Sequence, residues 1–221
     1  SILEMENDVS PAPSGSTSPV AERIAQRTLA ARGAEYADEV RRLLDAGLVV
    51  MRRGGTEQRP RVADIVAEAA LSNDAFYRHF PSKDALVTAI LEDGADRLGS
   101  YLAHQMAKAD TPEGQIRRWV DGVLAQADAD IAATTRAVLW NGGSVGGGVA
   151  AGRHFAAAPL ATLLHEPLIA LGSADPALHA TLAAHATLGT LADHLWAGTR
   201  PAEDERDAIT AFCVGGATFA G

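Results

Sequence analysis

The sequence predicts an all-α protein, and its composition and patterning give three reasons. Aromatic residues make up only 5% of the 221 residues, and β-branched residues are few beside the strong helix formers Ala and Leu. No run of alternating apolar and polar residues is bounded by hairpin turns, as a sheet protein would require. Apolar residues recur instead at helical spacing. A helical chain of this length is expected to bury a sizeable core.

Cysteine content and hydropathy predict where the protein works. The single cysteine, Cys213, excludes an intrachain disulfide framework and favours a reducing, cytoplasmic setting. No apolar run reaches the roughly 18 residues that a membrane span needs, and the N-terminal residues lack the apolar centre of a signal peptide. We therefore expect a cytoplasmic protein with no membrane partner.

The charge of the chain is unevenly distributed. The formal net charge is −9, but residues 22–83 carry eleven Lys or Arg against nine Asp or Glu, whereas residues 84–221 carry eight against sixteen. The field of a charge falls off over about 8 Å at physiological salt, so the local balance decides whether a surface attracts a polyanion. The N-terminal third is therefore the part that can face DNA, and chance unevenness of the charges is the alternative explanation.

Two segments precede the first clear helix. Residues 1–21 include the stretch MENDVSPAPSGSTSPV, which has little to bury, and they are predicted to form a disordered tail. Residues 22–34 carry Arg23, Arg27 and Arg32. This segment is either a helical extension or an arm that touches phosphates, and a plain solvated helix face explains it equally well.

Four helices are predicted next. An apolar stripe indicates a first helix over 35–52. Two short helices follow over 62–70 and 73–80, and Ser72 is a good N-cap for the second of these. Ser82 caps a fourth helix that runs to about residue 108.

The two short helices form a helix-turn-helix pattern, because each directs apolar residues toward the other. The first contributes Ile65, Val66 and Ala69, and the second contributes Phe76 and Phe80. In this motif the second helix enters the major groove of DNA. Its outward face is predicted to carry polar and small residues, namely Asn73, Asp74, Ala75, Tyr77, Arg78 and His79.

The stretch DIVAEAALSNDAFYRHFPSKDAL resembles the DNA-binding signature of TetR-type transcriptional repressors. The shared features are an Asp-Ile pair, a small-small-aliphatic-Ser turn, a Tyr-x-His-Phe run, and Ser-Lys followed by an aliphatic residue. They occur here as Asp64-Ile65, Ala69-Ala70-Leu71-Ser72, Tyr77-Arg78-His79-Phe80 and Ser82-Lys83 with Leu86. The resemblance covers about residues 36–90. It implies a three-helix DNA-binding domain followed by a helical domain for ligand binding and dimerisation.

The sequence departs from the family pattern at three places. Ala70 stands at the turn position usually held by Gly, and Arg61 stands where Thr often caps helix two. Arg61 does not cap in the same way, but it reaches a phosphate. Asn73-Asp74-Ala75 replaces a start resembling Lys-Gly-Thr, which changes the base sequence that is read and leaves the mode of binding as expected.

By resemblance and by geometry, these residues are assigned to DNA: Arg61, Ser72, Asn73, Ala75, Tyr77, Arg78, His79 and Lys83. Tyr77, His79 and Lys83 are expected to contact phosphates. Asn73, Ala75 and Arg78 are the candidates for base edges, since Asn suits adenine and Arg suits guanine. Ser72 caps the helix, touches a phosphate, or does both. In isolation, Tyr77 and His79 are also explained as residues that cover a small core.

The rest of the chain shows helices with caps and no pattern typical of catalysis. Helices are predicted to start after Asp110 or Thr111, at 176–197 and after Pro201, and another ends at Trp140-Asn141. The glycines that follow Asn141 lack the Gly-Lys-Ser/Thr of a phosphate loop, so a mobile loop is expected. The histidines lack metal-ligand spacing, so no metal and no cofactor are expected.

The resemblance places a small-molecule pocket and a dimer interface in this region. For the pocket we expect Trp119, Val123, Arg136, Trp140, Phe155, Leu164, His165 and Leu168, although an ordinary core explains them equally well. For the interface, built from the last two helices, we expect Leu182, Gly189, Trp196, Ile209, Phe212, Cys213 and Gly216. Burial of both helices within one subunit is the alternative. The domain organisation is then a tail over 1–21, a DNA-binding domain over 22–84 with an extension over 22–34, and an effector-binding and dimerisation domain over 85–221.

The expected function is that of a homodimeric, ligand-responsive repressor that binds a palindromic operator in double-stranded DNA. The effector is expected to be small and either apolar or amphipathic. Two other classes compete with this interpretation: a small helical enzyme with an incidental helix-turn-helix, and a non-specific DNA-binding protein. The first lacks a paired nucleophile and base, and the net charge of −9 disfavours the second.

Overall fold

A computed structural model describes residues 18–143 and 157–216 of the chain. These residues form helices joined by short connections, and no strand occurs among them. Within these ranges no helix combines the length and the apolar character that crossing a bilayer requires. The all-α prediction is confirmed.

The helices follow the predicted order closely. Their bounds are α1 Pro19–Gly54, α2 Val62–Ala69, α3 Asn73–His79, α4 Lys83–Met106, α5 Pro112–Leu124, α6 Ala129–Gly142, α7 His165–Ala170, α8 Pro176–Ala197 and α9 Glu203–Gly215. A short 3-10 turn, Ala125–Ala127, joins α5 to α6, and residues 157–162 are also helical. The predicted tail over 1–21 and the predicted glycine-rich loop lie largely outside the described residues.

Helix α1 is longer than the predicted helix over 35–52. Residues 22–34 are continuous with it, so this segment is a helical extension of α1. Residues 19–21 also belong to α1 and are not part of a tail. The chain divides into two compact units, residues 1–40 and residues 41–221. In the first unit the described residues 20–37 are exposed to solvent.

Side-chain caps fix where several helices begin. The Ser82 hydroxyl accepts a hydrogen bond from the Ala85 N–H over 3.1 Å at the start of α4. Thr111, rather than Asp110, caps α5. Asp175 caps α8 by accepting from the Leu178 N–H over 3.0 Å. Each cap satisfies a backbone donor that the first helical turn leaves unpaired.

The core of the second unit lies among α4, α5, α8 and α9. Trp119 on α5 is fully buried, and its indole N–H donates to the Leu160 carbonyl oxygen over 3.0 Å. Ile116, Val120 and Val123 extend the same buried face of α5. This satisfied indole and its apolar neighbours make α5 the central helix of the core.

Helix α4 is approached closely from two sides at positions occupied by glycine. A Cβ built on Gly47 of α1 would lie 2.7 Å from Ile90 Cδ1. A Cβ built on Gly142 of α6 would clash with the Leu91 side chain. Because the glycines have no side chain, α1 and α6 pack directly on neighbouring residues of α4.

Candidate nucleic-acid interface and internal cavity

The turn between α2 and α3 depends on a left-handed residue. Ala70 has φ 51° and ψ 46°, and among the described residues it is the one non-glycine with positive φ. The Leu71 N–H donates to the Val66 carbonyl oxygen over 2.9 Å, which closes the end of α2. An alanine in this conformation carries a strain of roughly 1 kcal/mol that glycine would not.

Arg42 of α1 holds this turn in place. Its Nη2 donates to the Ala69 carbonyl oxygen over 2.6 Å and to the Ala70 carbonyl oxygen over 3.0 Å. These carbonyls lie at the C-terminal end of α2, where acceptors lack helical partners and where a positive charge is favourable. Sequence reasoning missed this role, because no motif connects an arginine on α1 with a turn almost thirty residues later.

The inner side of α3 is apolar and buried. Phe76 is fully buried and Phe80 is 8% exposed, and their ring centroids are 5.9 Å apart. The Ser72 hydroxyl accepts from the Ala75 N–H over 3.1 Å, which confirms the predicted cap. Ala75 itself is only 4% exposed. The prediction that Ala75 lies on the outward face is therefore wrong, because the short helix turns this position toward the core.

The outer side of α3 presents polar groups to solvent. Asn73, Asp74, Tyr77 and Arg78 are exposed, with Tyr77 58% exposed, and His79 is half-buried. The Tyr77 ring packs edge-on to Phe76 with a centroid separation of 5.2 Å, which directs the ring while leaving it exposed. The structure thus holds amide, guanidinium and phenol groups on one short helix with a rigid base.

A surface groove gathers further cations at the start of α2 and of α4. Arg61 and Lys83, both assigned to DNA from the sequence, line the same groove with Arg59, Gln58 and Asp64. Arg59 was not predicted as a site residue. The pattern Arg59-Pro60-Arg61 just before the helix-turn-helix was the available signal, since it places two cations in the connecting loop.

Arg59 also contacts the C-terminal region. Its guanidinium carbon lies 5.8 Å from the ring centroid of Trp140 on α6, a cation–π arrangement. Trp140 was predicted to line a ligand pocket. The structure instead places it against the loop that leads into α2.

A cavity of about 230 Å³ lies between α1, α4, α6 and α8. Its apolar interior is formed in part by the buried residues Ile90, Leu160 and Leu191. The exposed residues Asp45 and Arg97 stand at its edge. The cavity therefore has an apolar interior and a charged entrance, as small-molecule sites commonly do.

None of the described residues predicted for the pocket lines this cavity. Trp119, Val123, Leu164 and Leu168 are buried members of the core instead. Arg136 lies near α8, with its Nη1 3.5 Å from the Leu195 carbonyl oxygen, and His165 is half-buried on α7. Phe155 lies outside the described residues. The cavity replaces this set as the candidate ligand site, and only the tertiary arrangement of four helices reveals it.

The residues predicted for the dimer interface fall into two groups. Leu182, Trp196 and Phe212 are exposed by 54%, 45% and 59%, and Gly216 is exposed as well. Gly189 and Ile209 are half-buried. Leu178, which was not predicted, adds a further apolar side chain that is 55% exposed.

Cys213 does not belong to this surface. It is 1% exposed and packs in the core beside the buried Thr187, with its Sγ 3.9 Å from the Thr187 hydroxyl. Burial raises the pKa of the Cys213 thiol to about 11. The placement of Cys213 at the interface is therefore wrong, because the apolar stripe of α9 faces the core of its own subunit at this position.

Ion pairs hold α9 against α5. Arg117 Nε lies 2.9 Å from Asp121 Oδ2, and the same guanidinium pairs with Glu203 and Asp207 of α9. The hydrogen bonds that Arg117 donates to Asp207 and Asp121 raise the pKa of Arg117 above its usual range. These contacts fix the orientation of α9, whose other side carries Phe212.

Comparison with known proteins identifies the N-terminal part of this arrangement. The family model described as "Bacterial regulatory proteins, tetR family" matches residues 43–90, which comprise the end of α1, both helices of the motif and the start of α4. No curated protein sequence matches the chain significantly.

Solved structures resemble the chain over most of its length. The fatty acid degradation regulator FadR from Bacillus halodurans superposes with a TM-score of 0.60 at 16% identity, covering 79% of this chain and 97% of that one. RolR in complex with resorcinol gives 0.59 at 19% identity, with 83% and 89% covered. A TetR-family transcriptional regulator from Pectobacterium atrosepticum gives 0.55 at 26% identity, with 82% and 91% covered.

The first two likenesses show the fold, and the third joins the fold to closer sequence similarity. FadR is described as a regulator of fatty acid degradation, and the Pectobacterium atrosepticum protein as a TetR-family transcriptional regulator. Together with the match over the helix-turn-helix, they show that residues 43–90 are similar to the DNA-binding part of TetR-family regulators and that the described chain has a fold like theirs.

Proposed function

We propose that the protein is a homodimeric, ligand-responsive repressor that reads a palindromic operator through α3. The observation that carries this proposal is the geometry of α3 itself. Its inner face is anchored by Phe76 and Phe80, its start is capped by Ser72, and Asn73 and Arg78 stand exposed on the other side. A rigid helix that presents such groups is suited to the major groove.

The residues around α3 divide into two roles. Tyr77, Lys83, Arg59 and Arg61 supply a hydroxyl and cations for phosphates, which position the protein without reading sequence. The groove shared by Arg59, Arg61 and Lys83 supports this role, because cations gathered beside a reading helix attract the backbone. His79, half-buried at the end of α3, is proposed as a further phosphate contact.

Base reading falls to Asn73 and Arg78. Asn pairs with adenine and Arg with guanine through two hydrogen bonds each in the major groove. Ala75 takes no part, since its side chain is buried, and the Ser72 hydroxyl is occupied as a cap. One helix therefore reads few bases, and a second subunit is needed for useful specificity.

The exposed apolar residues of α8 and α9 are proposed to bind a second copy of the chain. Leu182, Trp196 and Phe212 are each about half exposed, and water contact with such side chains is unfavourable. A two-fold axis through this surface lets the same patch serve both subunits. Two reading helices related by that axis match a palindrome. A protein that binds such an operator acts in the cytoplasm.

The cavity is proposed to bind the effector. Ile90 lines it, and its Cδ1 packs against Gly47 of α1, where a Cβ would lie only 2.7 Å away. Leu91 also lines it and is contacted in the same way by Gly142 of α6. A ligand that moves these side chains changes how α1 and α6 pack on α4. Such a ligand shifts the population toward the arrangement it prefers. RolR, whose fold is similar, binds the small ligand resorcinol.

Fluorescence anisotropy on DNA flanking the protein's own gene tests the DNA-binding part, with scrambled duplexes at one fixed salt concentration. We expect tight binding to one imperfect palindrome and weak binding to the scrambled duplex. Tyr77→Ala and Lys83→Ala should weaken binding to every sequence. The matched controls Tyr101→Ala and Lys108→Ala change the same residue types at exposed sites on or just after α4 and should leave binding unchanged. Equal weakening by variants and controls would contradict the assignment.

A further inference from the structure

We infer that the cavity between α1, α4, α6 and α8 selects an uncharged single-ring ligand and rejects carboxylates. This inference rests on the proposed function, because it names the class of effector that the cavity takes. It follows from the size of the cavity, from the apolar character of its interior and from the charges at its edge.

The volume limits the ligand to one ring with small substituents. The cavity holds about 230 Å³. A dry apolar cavity of about 150 Å³ is already large enough to bind benzene. The additional space accommodates a substituent of a few atoms, whereas a two-ring compound or a long acyl chain would extend beyond the cavity.

The interior favours an apolar ring. Leu160 is fully buried, Leu191 is 4% exposed and Ile90 is 5% exposed, and all three line the cavity. A ring that replaces water against these side chains is stabilised in proportion to the apolar area that it covers. A charged group placed among them loses its hydration without compensation.

One wall offers hydrogen bonds to a substituent. Thr134, Thr135 and Gln126 line the cavity together, and the Thr135 hydroxyl lies 3.5 Å from Gln126 Oε1. This separation is long for a hydrogen bond between oxygens. A ligand hydroxyl placed between these groups can donate to the amide oxygen and accept from the threonine.

The entrance disfavours an anion. Among the described residues that line the cavity, the two carboxylates of Asp45 and Asp93 outnumber the one cation, Arg97. Arg97 Nε is engaged with Asp93 Oδ2 at 2.8 Å. A ligand carboxylate therefore meets an unpaired negative excess and a guanidinium that already has a partner. A neutral ring avoids both the repulsion and the desolvation.

Three probes that share one ring and one exocyclic carbon separate these effects. We would titrate benzyl alcohol, benzoate and benzylamine into the full-length protein at pH 7 and follow the ligand signals by NMR. Benzyl alcohol is expected to bind with a dissociation constant of about 5 mM or below, the range open to so small a ligand. Benzoate is expected to bind at least about tenfold more weakly, and benzylamine more weakly than the alcohol, since both must bury a charge.

Variants locate the binding. Val138→Phe fills the cavity from α6 and should reduce benzyl alcohol affinity at least about fivefold, because it takes the space that the ring needs. Ala95→Leu fills it from α4 and serves if Val138→Phe does not fold. The matched control Val49→Phe, at a position 41% exposed and outside the cavity, should leave affinity unchanged. Asp93→Asn should narrow the difference between alcohol and benzoate by releasing Arg97.

Each outcome decides the inference. Three results would overturn it: benzoate or benzylamine binding as tightly as the alcohol, no binding of the alcohol up to about 10 mM, or alcohol affinity unchanged by both filling variants. The proposed function is tested separately by operator binding without any probe. Operator binding that persists when the alcohol occupies the cavity would refute ligand response and leave the ligand class standing. If the protein binds its operator but none of the three ring compounds binds the cavity, the proposed ligand class is wrong and the DNA-binding function still stands.

Discussion

Arg42 donates from Nη2 to the carbonyl oxygen of Ala69 over 2.6 Å and so ties α1 to the last residue of α2. The same nitrogen reaches the carbonyl of Ala70, the residue that turns the chain in a left-handed conformation. The angle between α2 and α3 is therefore held from α1, at the place where alanine replaces the more permissive glycine. Arg42 acts on the reading helix through the turn and not by touching DNA.

Removing this contact should weaken both the fold and operator binding. Arg42→Ala leaves carbonyls at the turn without their charged donor, which costs about 1.5–3 kcal/mol of unfolding free energy. Ala70→Gly should stabilise the protein by up to about 1 kcal/mol by relieving the left-handed strain. Urea denaturation measures both variants, with the exposed Arg118→Ala on α5 as control. If the Arg42→Ala protein is as stable as the control, the hydrogen bonds of Arg42 do not stabilise the turn.

The contact between Arg59 and Trp140 should appear as an energetic coupling between the connecting loop and α6. A cation–π pair at a partly exposed site contributes about 0.5–1 kcal/mol. In a double-mutant cycle, Arg59→Ala and Trp140→Leu should therefore be non-additive in unfolding free energy by about that amount. Trp140→Phe retains an aromatic face and should retain part of the coupling. Strict additivity would mean that the two groups are only neighbours.

Charges placed on the exposed apolar surface of α8 and α9 should separate the proposed dimer. Leu182→Glu and Phe212→Glu each put a carboxylate where an apolar side chain is about half exposed. Sedimentation velocity should show monomers, and operator affinity should fall at least about tenfold because one reading helix is lost. Ile131→Glu, at an exposed position on α6, is the control. If both variants remain dimeric, the dimer interface lies elsewhere on the protein.

Cys213 should make the stability of the protein depend on pH in the alkaline range. Burial raises the pKa of its thiol from the ordinary value of 9.0 to about 11. Between these values the unfolded chain releases the proton and the folded chain keeps it, so the free energy of unfolding falls as pH rises. Cys213→Ala should show a shallower decline over the same range. Equal slopes for the two proteins would mean that the thiol is not buried as described.

Much of this architecture was predictable from the sequence. Helix starts are predictable where a Ser, Thr or Asp precedes a helical pattern, because its side-chain oxygen can accept from a first-turn N–H. This applies to Ser72, Ser82, Thr111 and Asp175. The helical spacing of apolar residues also predicted which side of α3 is buried, except at Ala75. On a helix of only seven residues, one position at the boundary between faces is decided by tertiary packing and not by period.

The ligand site could not be found in this way. Large apolar residues such as Trp119 and Leu164 were expected to line a pocket, yet they fill the core. The cavity is lined instead by leucines and threonines from four helices, which are not distinctive in the sequence. Cavities arise where helices fail to meet, and that depends on contacts such as Gly47 against Ile90.

The central claim is that α3 reads base sequence, and one comparison of selected sites tests it most directly. Wild-type protein, Arg78→Ala and the matched control Arg118→Ala would each be used to select binding sites from random duplex DNA. The wild type and the control should enrich the same palindrome with a preferred base at each symmetric position. Arg78→Ala should enrich the same palindrome with preference lost at one symmetric pair of positions, with a discrimination loss of about 1–3 kcal/mol. An unchanged preference for Arg78→Ala, or enrichment of no common sequence by the wild type, would contradict the account.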